Sequence, residues 1–272
     1  MKIVNFAKNL KVSSEKLKEL PIGFFDSGIG GINALKTALN YLPNEKYIYF
    51  ADTDNVPYGT KSSEQIIKYI YNAVQFLDEK KIKILVIACN TATSAAREYI
   101  RSCFNFPVLG MVPAVKPAIE MNKSKRILVL ATTYTLRERH LNSLISNLDK
   151  NSVVDKLPLD KLVRFAEKFD FSSQNVDDYL IDEFSKIIVD NYETVVLGCT
   201  HFNFFESTLR KFLPQNIILI DGNDGTIRNL VNTMHQFDLI SKSDQPQDIQ
   251  FISSCRPDDD KRVAKLKYLL NQ

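Results

Sequence analysis

Residues 84–96, ILVIACNTATSAA, decide how this chain is read. Ile84, Leu85, Val86, Ile87 and Ala88 make an apolar run too short to cross a membrane and too rich in β-branched side chains for a helix, which is the pattern of a buried parallel strand. The run stops at Cys89. Asn90, Thr91 and Thr93 then offer oxygens that can cap helix amides, and Ala92, Ala95 and Ala96 favour the helix that follows. Cys89 is thereby placed at the carboxyl end of a strand, where helix amides point and where open α/β sheets bind ligands. Free amides at such a position favour a thiolate. Taken alone, a cysteine ending one apolar strand is read most simply as an inert core thiol.

The same order returns in residues 193–201, ETVVLGCTH. Thr194, Val195, Val196 and Leu197 read as a strand, Gly198 removes side-chain bulk before the bend, and Cys199 is followed by Thr200 and His201. Two inert core cysteines have no reason to share this context, so the pair is read as functional. Two thiols that face one substrate suit a paired acid and base.

Outward from these two stretches, the chain reads as a series of βα units whose strands end in polar residues. Ile22–Phe25 is a strand ending in Asp26-Ser27 and the glycine-rich DSGIGG, followed by a helix over Ile32–Leu39. Gly28, Gly30 and Gly31 lack the third spaced glycine of a dinucleotide fingerprint, so a nucleotide cofactor is rejected. The turn instead lets backbone amides approach a carboxylate, and Asp26 can equally serve as a cap. Tyr47–Phe50 is the next strand, and the loop ADTDNVPYGTKS after it, with Asp52, Thr53, Pro57, Tyr58 and Gly59, is shaped for contact; Ser62 or Ser63 caps the next helix.

Pro107–Gly110 is a short strand, and the proline-bearing MVPAVKP of residues 111–117 marks a crossing into a second domain. There Ile127–Leu130 ends in ATTYT, with Thr132, Thr133 and Thr135; Thr133 or Thr135 can cap the helix that follows. Leu157–Lys168 reads as a turn and helix carrying Asp160 and Glu167, and Ser173 caps a longer amphipathic helix. Ile217–Ile220, closed by Asp221-Gly222, is the last strand before the chain returns. The tail supplies a helix, the polar linker SKSDQPQD, a strand over Ile249–Ile252 and a terminal helix. The expected division is an N-terminal extension of residues 1–20, a first α/β domain of residues 21–113 with 225–272, and a second of residues 114–224. The extension, with Ser13 or Ser14 as a helix cap and Val12, Leu17 and Leu20 among charges, is read as a peripheral helix or loose arm whose deletion leaves a folded protein.

Composition narrows the function. A formal charge of +3 with both signs interspersed gives no footprint for nucleic acid or an anionic membrane, so the ligand is read as a small molecule. Four cysteines, Cys89, Cys103, Cys199 and Cys255, have neither the density of a disulfide framework nor the CxxC spacing of a zinc site, so no metal is expected and a reducing cytoplasm fits. The first 20 residues carry lysines throughout and lack the apolar core of a secretory signal, and no run reaches membrane-spanning length.

Through FFDSGIGG, DTDNVPYGTKS, CNTATSAA, GMVPAVKPA and VVLGCTHF, in this order over roughly residues 20–225, the chain resembles the glutamate racemases of the aspartate/glutamate racemase superfamily. The resemblance implies two pseudo-symmetric, open parallel-sheet α/β domains with the active site between them. It implies a cofactor-independent enzyme that interconverts L- and D-glutamate and supplies D-glutamate for peptidoglycan. Cys89 and Cys199 fall on the family's two bases, Cys89 drawing the α-proton from D-glutamate and Cys199 from L-glutamate, with Asp26 and His201 assisting. Asp26, Ser27, Tyr58, Gly59, Asn90, Thr91, Thr200 and His201 fall on substrate contacts, and Pro57, Thr132 and Thr135 on further lining.

Two places depart from the family pattern. Asn203 stands where a proline usually follows CTHF, and the segment around Glu167 matches the family's second-domain acidic residue only in part. An aspartate or other amino-acid racemase is the alternative within the class, and a gyrase-regulating interaction protein is the alternative outside it. A homodimer and regulation by a peptidoglycan precursor through the N-terminal extension are left open by sequence.

Overall fold

The computed structural model describes residues 13–243, 248–254 and 260–272. Cys255, Val12, residues 1–12 generally and residues 244–247 of the polar linker lie outside them. Nine strands follow one another among the described residues: β1 (Ile22–Asp26), β2 (Lys46–Ala51), β3 (Ile84–Ile87), β4 (Val108–Gly110), β5 (Arg126–Ala131), β6 (Val154–Pro158), β7 (Tyr192–Leu197), β8 (Ile218–Asp221) and β9 (Asp248–Ser253). The chain divides into two compact units, one drawn from Met1–Met111 with Asn223–Gln272 and the other from Val112–Gly222.

In the first unit the sheet order is β4-β3-β1-β2-β9, and in the second it is β6-β5-β7-β8; every pairing is parallel. Numbered within its own unit and read from the β4 or β8 edge, each sheet begins 4-3-1-2. The units thus repeat one topology, with β9 an addition to the first. In this order the chain leaves strand 1 toward strand 2 on one side and later returns to build strand 3 on the other. The crevice between strands 1 and 3 is therefore the topological switch point, the usual ligand position of an open parallel sheet.

The apolar continuity of the central strands follows from helices covering both faces. β1 and β3 are buried over their whole length, as strands inside a parallel sheet must be. Around them, helix Ser63–Glu79 buries Ile66, Ile70, Ala73, Val74 and Leu77 along one face, and it starts with a reciprocal capping box between Ser62 and Gln65. The second unit has its own core, including Val115, Ala118, Ile127, Val129, Ala131 and Val196. No helix among the described residues is long and apolar enough to cross a membrane.

Several local expectations are corrected. Residues 154–158 form a strand ahead of the helix, where a turn and helix were expected from Leu157. VDKLP buries only Leu157, carries Asp155 and Lys156 and ends in proline, which suits a short edge strand and hides the apolar signal. Of the two readings of the extension, its described residues take the helical one: after its cap Ser13, helix Ser14–Lys18 buries Leu17 and Lys18. The buried Lys83 ammonium donates to the Lys18 carbonyl and to Glu45 Oε2, the latter at 2.5 Å, and Glu45 Oε1 accepts from Ser241 N at 2.8 Å. Burial pushes the Lys83 pKa down while Glu45 opposes that shift. Ser173 starts helix Gln174–Phe184, but its side chain donates to Asp170 Oδ2 at 2.7 Å and makes no capping bond.

Candidate active site

In the first unit the polar residues gather at the carboxyl ends of the adjacent strands β3, β1 and β2. Ala88 N donates to Phe25 O at 2.8 Å and Asp52 N donates to Asp26 O at 2.9 Å, so the parallel ladder continues past the strand ends and fixes these residues side by side. Cys89 is 6% exposed and is itself the N-cap of helix Asn90–Cys103. Its sulfur accepts from Ala92 N at 3.4 Å and from Ser27 Oγ at 3.4 Å. The cap expected from Asn90, Thr91 or Thr93 is thus taken by the thiol. These three side chains lie inside the helix, buried, and Thr93 Oγ1 turns back to donate to Ile87 O at 3.1 Å. Two donors and the positive end of a helix macrodipole all stabilise a charged sulfur.

Asp26, wholly buried, accepts from Gly28 N at 2.8 Å, so one amide of the glycine turn serves this side chain. Gly31 is required for space. A Cβ there would stand 2.8 Å from Asp26 Cβ and 2.9 Å from both Ala88 Cβ and the Tyr49 hydroxyl. Tyr58 and Gly59 lie in the short 3-10 turn Tyr58–Thr60, entered by a cis bond between Val56 and Pro57. The Tyr58 ring packs against Phe25 and Tyr69, and its hydroxyl donates to Asp52 Oδ2 at 2.5 Å. Burial, then the Asp52 carboxylate, raise the Tyr58 pKa far above the phenol range, so it is a neutral donor.

The second unit assembles its residues at the ends of β5 and β7. Gly198 N donates to Leu130 O at 2.7 Å, and a Cβ on Gly198 would meet that same oxygen at 2.9 Å, so glycine lets the chain turn flush against β5 before Cys199. Cys199, 8% exposed, precedes the 3-10 segment Thr200–Phe205 and makes no side-chain capping bond. Its polar neighbour is His201, whose Nδ1 lies 3.9 Å from the sulfur and whose Nε2 lies 2.7 Å from Glu167 Oε1. Burial works against a charged imidazole, but the hydrogen bonds to Cys199 and Glu167 and their negative charge outweigh it and hold the His201 pKa well above its usual value.

Thr132, at the end of β5, caps helix Thr133–Arg137 by accepting from Thr135 N at 3.3 Å, and its hydroxyl donates to Thr135 Oγ1 at 3.1 Å. The cap therefore belongs to Thr132, where Thr133 or Thr135 had been expected. Asp160 holds the same turn by accepting from Thr133 N at 3.0 Å and from Thr133 Oγ1 at 2.5 Å. Asn203 donates from Nδ2 to Asp221 Oδ2 at the end of β8. Among the described residues, no three His, Cys, Asp or Glu side chains gather as a metal site.

A family described as Asp/Glu/Hydantoin racemase matches residues 32–230. The chain belongs to this family. Glutamate racemase of Halothermothrix orenii is 46% identical over 251 residues, 92% of this chain and 99% of that protein. The crystal structure of glutamate racemase from Francisella tularensis in complex with D-glutamate superposes with a TM-score of 0.79 at 26% identity, covering 94% of this chain and 95% of that one. Glutamate racemase from Escherichia coli, in complex with L-glutamate and the activator UDP-MurNAc-Ala, gives a TM-score of 0.79 at 28% identity and covers 92% and 95%. The protein is an amino-acid racemase, an isomerase with two parallel-sheet α/β units.

In this racemase the first unit brings together Asp26, Ser27, Cys89, Asn90 and Thr91, with Tyr58 tied in through Asp52. The second brings together Thr132 at one strand end, with Thr135 in the helix that it caps, and Cys199, Thr200 and His201 beyond the next. Sequence reasoning undervalued Asp52 and Glu167. Asp52 had the available signal, a polar residue directly after a strand. Glu167 lies at the end of helix Asp160–Glu167, 34 positions from His201, and only the fold brings it within bonding distance.

Proposed function

We propose that the protein interconverts L- and D-glutamate by a two-base proton transfer, with Cys89 and Cys199 on opposite faces of the α-carbon. The observation that carries this reading is that each unit sets a buried, reduced cysteine after the third strand of the same topology, each with a separate source of positive potential. Inverting a tetrahedral carbon needs one group to remove its proton from one face and another to deliver a proton to the other. A thiolate and a thiol suffice, and they exchange states as the reaction reverses. From D-glutamate, Cys89 takes the α-proton and Cys199 gives one up; from L-glutamate the roles swap.

The remaining residues have complementary tasks. The helix Asn90–Cys103 terminus and Ser27 favour the charged form of Cys89, while His201, held by Glu167, stands beside Cys199. Asn90, Thr91 and Thr200 supply polar groups for the substrate's carboxylates, with Asp26 at the end of the neighbouring strand β1, and Pro57, Tyr58, Gly59, Thr132 and Thr135 complete the lining. No cofactor enters this scheme. The product serves peptidoglycan synthesis in the cytoplasm.

Glutamate is favoured over aspartate by the 46% identity to the Halothermothrix orenii glutamate racemase across nearly its full length. Incubation with pure L-glutamate or L-aspartate, without added cofactor and after treatment with a chelator, followed by chiral chromatography, tests the assignment. The expected result is D-glutamate formation much faster than D-aspartate formation. Faster conversion of aspartate, or activity restored only by a metal or pyridoxal phosphate, would overturn it.

A further inference from the structure

The loop of residues 52–60 is held from two sides. Inside, Asp52 accepts from the Tyr58 hydroxyl at 2.5 Å and from Asn55 Nδ2 at 2.9 Å and 3.1 Å, which ties the start of the loop to its substrate-lining end. Outside, Thr53 and Asp54 meet the carboxyl-terminal part of the chain. Thr53 Oγ1 and Ser253 Oγ are 2.7 Å apart, Arg262 Nη1 donates to Thr53 Oγ1 at 2.6 Å, and Asp54 N donates to Ser254 Oγ at 3.0 Å. Arg262 also pairs with Asp54 at 3.5 Å.

Guanidinium can only donate, so Thr53 Oγ1 accepts from Arg262, and either hydroxyl can donate in the bond between Thr53 and Ser253. The three side chains thus form one hydrogen-bonded chain, from Arg262 through Thr53 to Ser253. β9 brings Ser253 into place by pairing it with Ala51, the last residue of β2, and Ser254 N continues the ladder by donating to Ala51 O at 3.0 Å.

We propose that Arg262 is a positioning residue for the substrate loop, acting through Thr53 and Ser253 to fix the approach of Pro57, Tyr58 and Gly59. The proposal rests on the glutamate racemase reading for its kinetic consequence but not for its structural one. The Arg262 side chain is 41% exposed and Asp54 is 48% exposed, so their ion pair adds little to global stability. What the contacts restrain is a surface loop, the class of segment that opens locally at low free energy. Loosening it weakens substrate binding without moving either cysteine.

Kinetics of wild type, Arg262→Ala, Arg262→Lys and Thr53→Val with both enantiomers test this, together with amide hydrogen exchange on the ligand-free proteins. Arg262→Ala is expected to raise KM about five- to tenfold in both directions. Its kcat should stay within about twofold of wild type, the change expected when uniform binding is lost. Arg262→Lys should recover part of the loss. The double variant Arg262→Ala with Thr53→Val should be no worse than the more damaging single change, since both break one chain of bonds. Amides of residues 53–60 should exchange faster in Arg262→Ala, while those of β1 and β3 stay as in wild type. Unchanged KM and unchanged loop exchange, or a fall in kcat accompanied by faster exchange throughout the unit, would overturn the proposal. Wild-type protein that fails to racemise glutamate would sink the functional reading instead, and the loop exchange would still decide the role of Arg262.

Discussion

The sulfur of Cys89 meets two donors, the Ser27 hydroxyl and the Ala92 amide, whereas Cys199 meets an imidazole backed by a carboxylate. The first arrangement is a fixed dipole and carries no titration of its own near neutrality. The second does. Because the His201 pKa is raised in the folded state, the folded protein holds that proton more tightly than the unfolded chain. The resulting stabilisation is complete below the unfolded imidazole pKa of about 6.5 and is lost as pH rises through the folded value. Glu167→Gln, which leaves a buried imidazole without its carboxylate, should lower the melting temperature most below about pH 6.5, and the loss should shrink as pH rises through the folded His201 value. A loss that does not change with pH would contradict a charged His201. Asn203 shows where reading by resemblance stops. The departure at Asn203 was visible, but its side-chain tie to Asp221 depends on β8 lying next to β7, which no local pattern reports.

Strand ends and helix starts were readable because their chemistry is local. β3 and β7 are apolar runs that stop at a cysteine, and the capping box at Ser62 is written within four residues. β6 was not readable, because an edge strand with one buried side chain has no period to detect. Gly198 combines both kinds of information: its lack of bulk was read as making room for a bend, and the neighbour that needs the room is the Leu130 carbonyl. Gly198→Ala should cost about 1–3 kcal/mol in denaturant unfolding, the range for overpacking against a backbone that cannot yield. A change below a few tenths of a kcal/mol would mean that β5 and the turn adjust freely.

The N-terminal helix carries a sharper revision. Truncation of residues 1–20 removes buried Leu17 and the carbonyl that receives the Lys83 ammonium. A fold should remain, but at a cost of about 3 kcal/mol, from roughly 2 kcal/mol of lost apolar burial and about 1 kcal/mol for the orphaned donor. Thermal melting should then stay cooperative with a midpoint lowered by about 6–12 °C. An unchanged midpoint would show that the docked turn contributes nothing, and a non-cooperative melt would show that it contributes far more.

Across the molecule, two units with the same 4-3-1-2 strand order each set a cysteine beside the switch point of a parallel sheet. The repeated strand-cysteine pattern made this readable from sequence, since a parallel sheet buried on both faces leaves continuous apolar runs and a polar stop. What surrounds them was not, because Glu167 with His201 and Arg262 with Thr53 are contacts between segments that only the folded topology brings together. The repetition gives the central claim its form, that the two thiols do complementary work on one carbon. Neither should replace the other, so Cys89→Ala and Cys199→Ala should each abolish racemisation in both directions, as measured by chiral chromatography. The most direct test is to start from protiated L-glutamate in heavy water and analyse both enantiomers by mass spectrometry early in the reaction. The two-base account predicts deuterium at the α-carbon of nearly all the D-glutamate formed and scarcely any in the recovered L-glutamate. Substantial transfer of the original hydrogen into D-glutamate would contradict it, because a single base would then be returning the proton it had taken.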